Sequence, residues 1–421
     1  MTTIVDLKRA KVKYYSLIQR VRDAISTLNP VEVVTPTNVA EEKKKWIERV
    51  HVGIFTNPYF RYNVPLLEKT ISRRERLIGL SSELSSIVAE GEAEQFVLDQ
   101  LKQVVRDGID TTILAESILF GCDDESAEIT LRKYGLPAEE DVHLALNYAL
   151  SNLHFDEFEQ KVDSGMCPYS TEDIELLSTK CFNAEGIRDM FDWAMLQYGK
   201  CWPIEINPDC TSIDVRDKSV AGHPVIVIPV KREVSGLKLA ELIGHEIECH
   251  WRSSVNASLI GVLKSDDELV YEGLAALKDK EYNRNYCGTF NLNSAYYMIA
   301  MNEAMQSKCF ARVGGIIHDH LPISLGQSRA AKAWLYTYRV FRGITDTENA
   351  SGYAFTKDRA YFEGYRFAKQ LLADGKADYL AFSTLNKSAL ERLMSILSID
   401  DIRNSVMLDK DIQAASLQQM L

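Results

Sequence analysis

The sequence predicts a mostly helical α+β protein with one small sheet. Three observations carry that expectation. Apolar residues recur at helical spacing through the first 200 residues and again beyond residue 235. Between them WPIEI (202–206), TSIDV (211–215) and PVIVIPV (224–230) are short, rich in β-branched residues and separated by Pro, Asp and Gly. A long helical pattern then begins at VSGLKLAELIGHEIECHWRSSVNASLI (234–260).

The elements follow in order. Segment 5–28 predicts one helix, stopped by Asn29-Pro30. VVTPTN (33–38) predicts a turn whose Asn38 caps a helix over 39–50. NPYFRYN (57–63) is an irregular joint, and helices are expected over 66–90, 93–106 and 109–119. LRKYGLPAEEDV (131–142) reads as helix, Gly stop and Pro restart, followed by helix to residue 152 and by one or two helices over 171–198. Pro at both ends of PVIVIPV suits an edge strand better than a central one. Ser235 is positioned as the cap of the helix after it. Further helices are expected over 267–285, 291–311, 325–340, 357–373 and 388–398. The chain divides as a helical region 1–198, a core 199–405 and a tail 406–421, forming one unit with a soft seam near 196–201.

The net charge is −12, from 60 acidic and 48 basic residues, which argues against sequence-independent nucleic-acid binding. No run of about eighteen apolar residues occurs, so no membrane-spanning helix is expected. MTTIVDLKRAKVKYY turns polar and basic at once and does not read as an export signal. The eight Cys contain no Cys-x-x-Cys pair. Thiols scattered in this way suit a cytoplasmic setting and predict small buried hydrophobes.

HEIECH (245–250) carries the chemistry. A catalytic zinc needs about three protein ligands and one open position. Histidines four apart share a helix face, but here they are five apart. Five steps turn a regular helix by about 500°, which leaves the side chains roughly 140° apart. Three readings follow: a π-bulge that realigns His245 with His250, a His245–Cys249 pair at regular spacing, or no metal at all. A third ligand is available in ELVYEGLAAL (268–277), where Glu272 is flanked by small Gly273 and Ala275 that permit a close helix approach. In a His-His-Glu site Glu246 binds no metal and serves as general base. Glu248 reads as a solvated or supporting group. His51, His143, His154 and His223 read as surface or core groups. His318 and His320 could pair on a strand but have no third partner.

Together these motifs resemble the HExxxH tyrosine carboxypeptidase family, which includes the microtubule-associated tyrosine carboxypeptidases and bacterial QEGLA-motif relatives. HEIECH matches HExxxH, and YEGLA (271–275) matches QEGLA except at Tyr271. PTN (36–38), NPYFRY (57–62), Asn256, YRVFRG (338–343), FTKD (355–358) and YFEGY (361–365) are similar to further landmarks, in order, from about residue 30 to about 390. The chain departs from the common HEIGTH or HEVGTH at Glu248 and Cys249. The resemblance implies a helical metallopeptidase with a gluzincin-like two-helix zinc site: His245, His250 and Glu272 as ligands of Zn2+, and Glu246 as base. The substrate would be a peptide or protein C-terminus, with a terminal aromatic residue such as tyrosine as leaving group.

A carboxypeptidase must hold a free carboxylate, which Arg does by paired hydrogen bonds and Lys as a point charge. Arg339, Arg342 and Lys357 are the candidates, and Tyr338 and Tyr361 could donate to the developing oxyanion. Their plainer roles are salt bridges and helix capping. The basic stretches KRAKVK (8–13) and SRRER (72–76) read as solvated helix faces. The alternative function is a non-catalytic zinc-binding regulator that keeps the scaffold. A hydrolase acting on something other than peptides is a third.

Overall fold

Strand Val225–Pro229 forms the middle of a three-stranded sheet, parallel to Ile204–Asn207 and antiparallel to Asp214–Arg216. The expected edge position is therefore wrong. Pro224 precedes the strand and Pro229 ends it, so neither interrupts the ladder between them, and all five strand residues are buried. A second, two-residue pairing joins Cys181–Phe182 to Val234–Ser235. The structure, a computed structural model, describes residues 2–25, 30–63, 67–151, 170–216, 224–283, 293–306, 308–350, 352–410 and 412–421. His154, His223, Cys167 and Cys287 lie outside them.

The remainder is mostly helical, as the periodicity predicts. Several boundaries differ for identifiable reasons. The first expected helix is two, Ile4–Lys13 and Tyr15–Ile25. The chain bends at Tyr14, which is buried with its hydroxyl donating to Glu94 at 2.9 Å. The two segments expected after residue 93 are one helix, Glu92–Phe120. Gly108 does not break it. A Cβ there would lie 3.2 Å from Leu77 and 3.3 Å from Ile25, so the glycine serves close packing. Asn38 precedes Val39–Val50 but does not cap it. Its side chain instead accepts from Arg61 N at 2.9 Å and donates to Tyr59 O at 2.7 Å, holding the following joint.

The helix expected over 291–311 is described as Asn293–Met305, and a separate helix Phe310–His320 follows. His318 and His320 are thus on a helix, two residues apart, and not on a strand. Two positions along a helix diverge by about 200°, which removes the pair as a common metal site. The C-terminal region contains helices Ile399–Ser405 and Ile412–Met420 that periodicity did not single out. Of the six described cysteines only Cys249 is buried, so the expectation of buried thiols fails for the others. Among the described residues no helix is long and apolar enough to cross a membrane.

Two apolar cores form. The larger joins the N-terminal helices to those after residue 256. The smaller lies between the sheet, helix Ala184–Gln197, the first part of the His-Glu helix and helix Ile412–Met420. The HEIECH helix separates them: Ile243, Ile247 and Trp251 enter the smaller core and Cys249 the larger. The helix after it, Leu269–Tyr282, crosses helix Ala360–Ala373 in backbone contact. A Cβ on Gly273 would land on the backbone of Gly364, and one on Gly364 would land on the Leu269 carbonyl. The close approach expected of Gly273 is therefore to helix Ala360–Ala373 and not to the His-Glu helix.

Candidate metal centre

Ser235 caps the His-Glu helix as expected, its hydroxyl accepting from Lys238 N at 3.3 Å. Seven residues of α-helix follow, Gly236–Leu242. Residues Ile243–Trp251 are then a π-helix, and α geometry resumes over Arg252–Ile260 until Gly261 at φ 78° ends it. The wide turn resolves the spacing problem of HEIECH. With i→i+5 bonding, residues five apart stand over one another. The His245 and His250 rings lie 4.7 Å apart at 87°.

Helix Leu269–Tyr282 supplies Glu272 opposite them. One Glu272 oxygen is 3.9 Å from His245 Nε2 and the other 3.9 Å from His250 Nε2. The three potential ligand atoms all lie within 4.8 Å of one another. Two imidazole nitrogens and a carboxylate about 2 Å from a zinc ion stand roughly 3.3 Å apart in tetrahedral geometry, so small side-chain rotations close the set. The donor chemistry fits zinc. The Cys249 sulfur is not part of this cluster, and burial pushes its thiol well above the ordinary range.

Asp279, which sequence reasoning missed, bonds to His245 Nδ1 at 3.0 Å. It lies seven residues beyond Glu272, two turns along the same helix face. This contact leaves Nε2 facing Glu272 and fixes the ring, the usual carboxylate support of a metal-binding imidazole. Burial opposes charge on His245, but Asp279, Glu246 and Glu272 outweigh it and raise its pKa to about 10. His250 is the opposite case. Burial, His245 and Lys264 hold it well below the ordinary range, so it is neutral. Its Nδ1 is buried with no hydrogen-bond partner.

Glu246 is 7% exposed. Burial, reinforced by Glu272, Asp214 and Asp279 and opposed by His245, pushes its carboxyl up to about 7. Of the two readings of Glu248, solvated or supporting, the structure has the second: it is fully buried and accepts from the Ile412 N–H.

Around this centre Tyr271 stacks on His250 at 3.8 Å and 11°. The Lys264 ammonium sits 3.9 Å from the Tyr271 ring centre and 2.9 Å from Glu268. Lys357, on the 3₁₀ turn Thr356–Arg359, reaches the same Glu268 at 2.8 Å. Burial disfavours charge on Glu268, but the two ammonium groups prevail and bring it down to about 2. Lys264 was not singled out from the sequence, because nothing in its spacing ties it to the motif. Tyr361 lies close enough to Glu272 that this carboxylate, ahead of burial, raises its phenol well above the ordinary range.

The other candidates are held by Asp358 or by aromatic packing, and Arg339 also lies 5.6 Å from the Tyr361 ring centre. Arg339 makes paired bonds to Asp358 at 2.7 and 2.6 Å, and Arg342 donates to Asp358 at 3.2 Å and to the Arg339 carbonyl at 3.1 Å. Tyr338 stacks on Trp334 and meets Phe60 edge-on. In the basic stretches Lys13 bonds Glu94 at 2.7 Å, and Arg74 bonds Glu116 at 2.5 Å.

Two expectations follow. Asp279→Ala should weaken zinc binding roughly 10- to 100-fold, and Asp279→Asn by less, in a chelator competition titration. Zinc and a proton compete for His245 Nε2, so apparent affinity should rise about tenfold per pH unit for each proton displaced. No protein-family model matches this chain, and no curated protein or solved structure matches it.

Proposed function

We propose that this protein is a zinc-dependent metallocarboxypeptidase that hydrolyses a C-terminal peptide bond, with a terminal aromatic residue such as tyrosine as the leaving group. The observation that carries the reading is the π-helical turn that sets His245 and His250 against Glu272 beside a buried Glu246. A purely structural metal site needs no such base. A bound zinc would supply Lewis acidity and make water a nucleophile at neutral pH.

The chain's own groups do the rest. Glu246 takes a proton from the attacking water and returns it to the leaving amine. Lys357, with Lys264, receives the terminal carboxylate. Both ammonium groups converge on Glu268 and lie near enough to Glu272 to act on its charge. Arg339 and Arg342 are committed to Asp358 and help place the Lys357 turn instead. Tyr361, beside Glu272, is the phenol placed to donate to an oxyanion. The partner is thus a peptide or protein tail, and the overall acidity of the chain does not favour an acidic tail.

The test measures bound zinc and release of C-terminal residues from a peptide library, for the native chain and for Glu246→Gln. Zinc retained with release abolished supports the enzyme. Zinc bound with no release from any peptide by the native chain would identify a non-catalytic zinc-binding protein.

A further inference from the structure

The π-helix raises a physical question of its own. Bonding from i to i+5 is rare and is used mostly in single turns, and regular α geometry is the ordinary outcome for such a sequence. A regular helix here would rotate everything after the turn by about 100° relative to everything before it, and His245 and His250 would diverge. Something outside the segment has to select the wide turn.

The C-terminal segment touches the helix on both sides of that turn. At its beginning, the Gln413 side chain lies against Gly244, where a Cβ would be 2.5 Å from the amide nitrogen. In its middle, the buried Glu248 carboxylate accepts from the N–H of Ile412, the first residue of helix Ile412–Met420. Beyond its end, Asn256 holds Met407 in both directions. It accepts from Met407 N at 2.9 Å and donates to Met407 O at 2.8 Å. The same segment reaches the second ligand-bearing helix, through Asp409 to Lys278 at 2.7 Å. Its far end is tied by Lys180 to the Met420 carbonyl.

We propose that residues 406–410 and 412–421 act as a register strap, with Glu248, Asn256 and Ile412 as positioning residues that hold the π turn and so bring the metal-binding side chains together. The contacts at 244, 248 and 256 share one phase only when the wide turn is present. Loss of the turn would swing Asn256 away from Met407 or Glu248 away from Ile412. The strap also fixes the distance between the two helices that carry the ligands, through the Lys278–Asp409 pair. The proposal rests on the zinc reading for its consequence and on the backbone geometry for its mechanism.

Two pairs of full-length variants test it. Ile412→Pro removes the N–H that Glu248 accepts, while proline remains acceptable at the first helical position; Ile412→Ala loses more side-chain burial than the proline variant but keeps the N–H. Glu248→Leu removes the acceptor and Glu248→Gln retains it. Zinc affinity is read by chelator competition, and cobalt substitution reports the ligand geometry in its visible spectrum. Amide hydrogen exchange across 243–251 is read on metal-free protein, so it decides the strap even if no zinc binds. Ile412→Pro and Glu248→Leu should bind zinc roughly 10- to 100-fold more weakly than their paired controls. Their amides over 243–251 should exchange at least about tenfold faster. Equal exchange within each pair would overturn the strap. Faster exchange with zinc affinity and cobalt spectrum unchanged would overturn its positioning role.

Discussion

Gly273→Ala should destabilise the protein by at least about 3 kcal/mol and weaken zinc binding with it. The added methyl group would land on the backbone of Gly364, which has no side chain to move aside. Overpacking a core ordinarily costs about 1–3 kcal/mol, and a backbone-on-backbone clash belongs at or beyond the top of that range. Separating the helices would shift Glu272, next in sequence, away from the two imidazoles and Tyr361 away from Glu272. A matched control is Gly79→Ala, on the exposed face of helix Leu67–Ser86, where a Cβ meets nothing within 4 Å. That change should stabilise the helix by up to about 1 kcal/mol. Denaturant unfolding of both variants checks the contrast. Equal stabilities would show that the helices are not in backbone contact at the crossing.

Glu246→Gln should lower turnover about 10²- to 10⁴-fold with zinc content unchanged, because the amide is nearly isosteric but cannot accept the proton. The same substitution has a stability signature of opposite direction. In the metal-free protein Glu246 is raised from its unfolded value near 4.5 to about 7. An acid raised on folding costs nothing below its unfolded pKa; its cost grows as pH rises from the unfolded to the folded value and is fully present above the folded value. At pH 8 the metal-free Gln variant should therefore be at least as stable as the native protein, and the difference should vanish near pH 4. A variant that loses both turnover and metal-free stability at pH 8 would be a folding defect, and the assigned proton transfer would lose its support.

The wide turn is one of the three readings that HEIECH leaves open. Five-residue spacing cannot align two ligands on a regular helix, so either the helix departs from α geometry or the histidines do not meet. Ser235 and Glu272 are legible for similar reasons, one from cap chemistry and one from the need for a third donor. Other features are not local in the sequence. Periodicity tells which face of a helix is buried but not what buries it. Gly273 therefore signals a close approach without naming Gly364, 91 positions away. Asp279 carries no signal as an isolated acid, because its meaning comes from the imidazole it orients. Glu248 reads as either solvated or supporting, and only the Ile412 N–H placed against it decides between the two. The central strand Val225–Pro229 is misread because its prolines look disruptive, although both fall where the ladder ends. Folded contact across long separations is the common missing term.

The most direct test of the central claim is anomalous diffraction at the zinc edge from zinc-loaded crystals of the protein. The account predicts one peak about 2 Å from His245 Nε2, His250 Nε2 and a Glu272 oxygen, within the π-helical turn. A zinc ion bound elsewhere, or an unoccupied cluster with the two imidazoles turned apart on a regular helix, would contradict it.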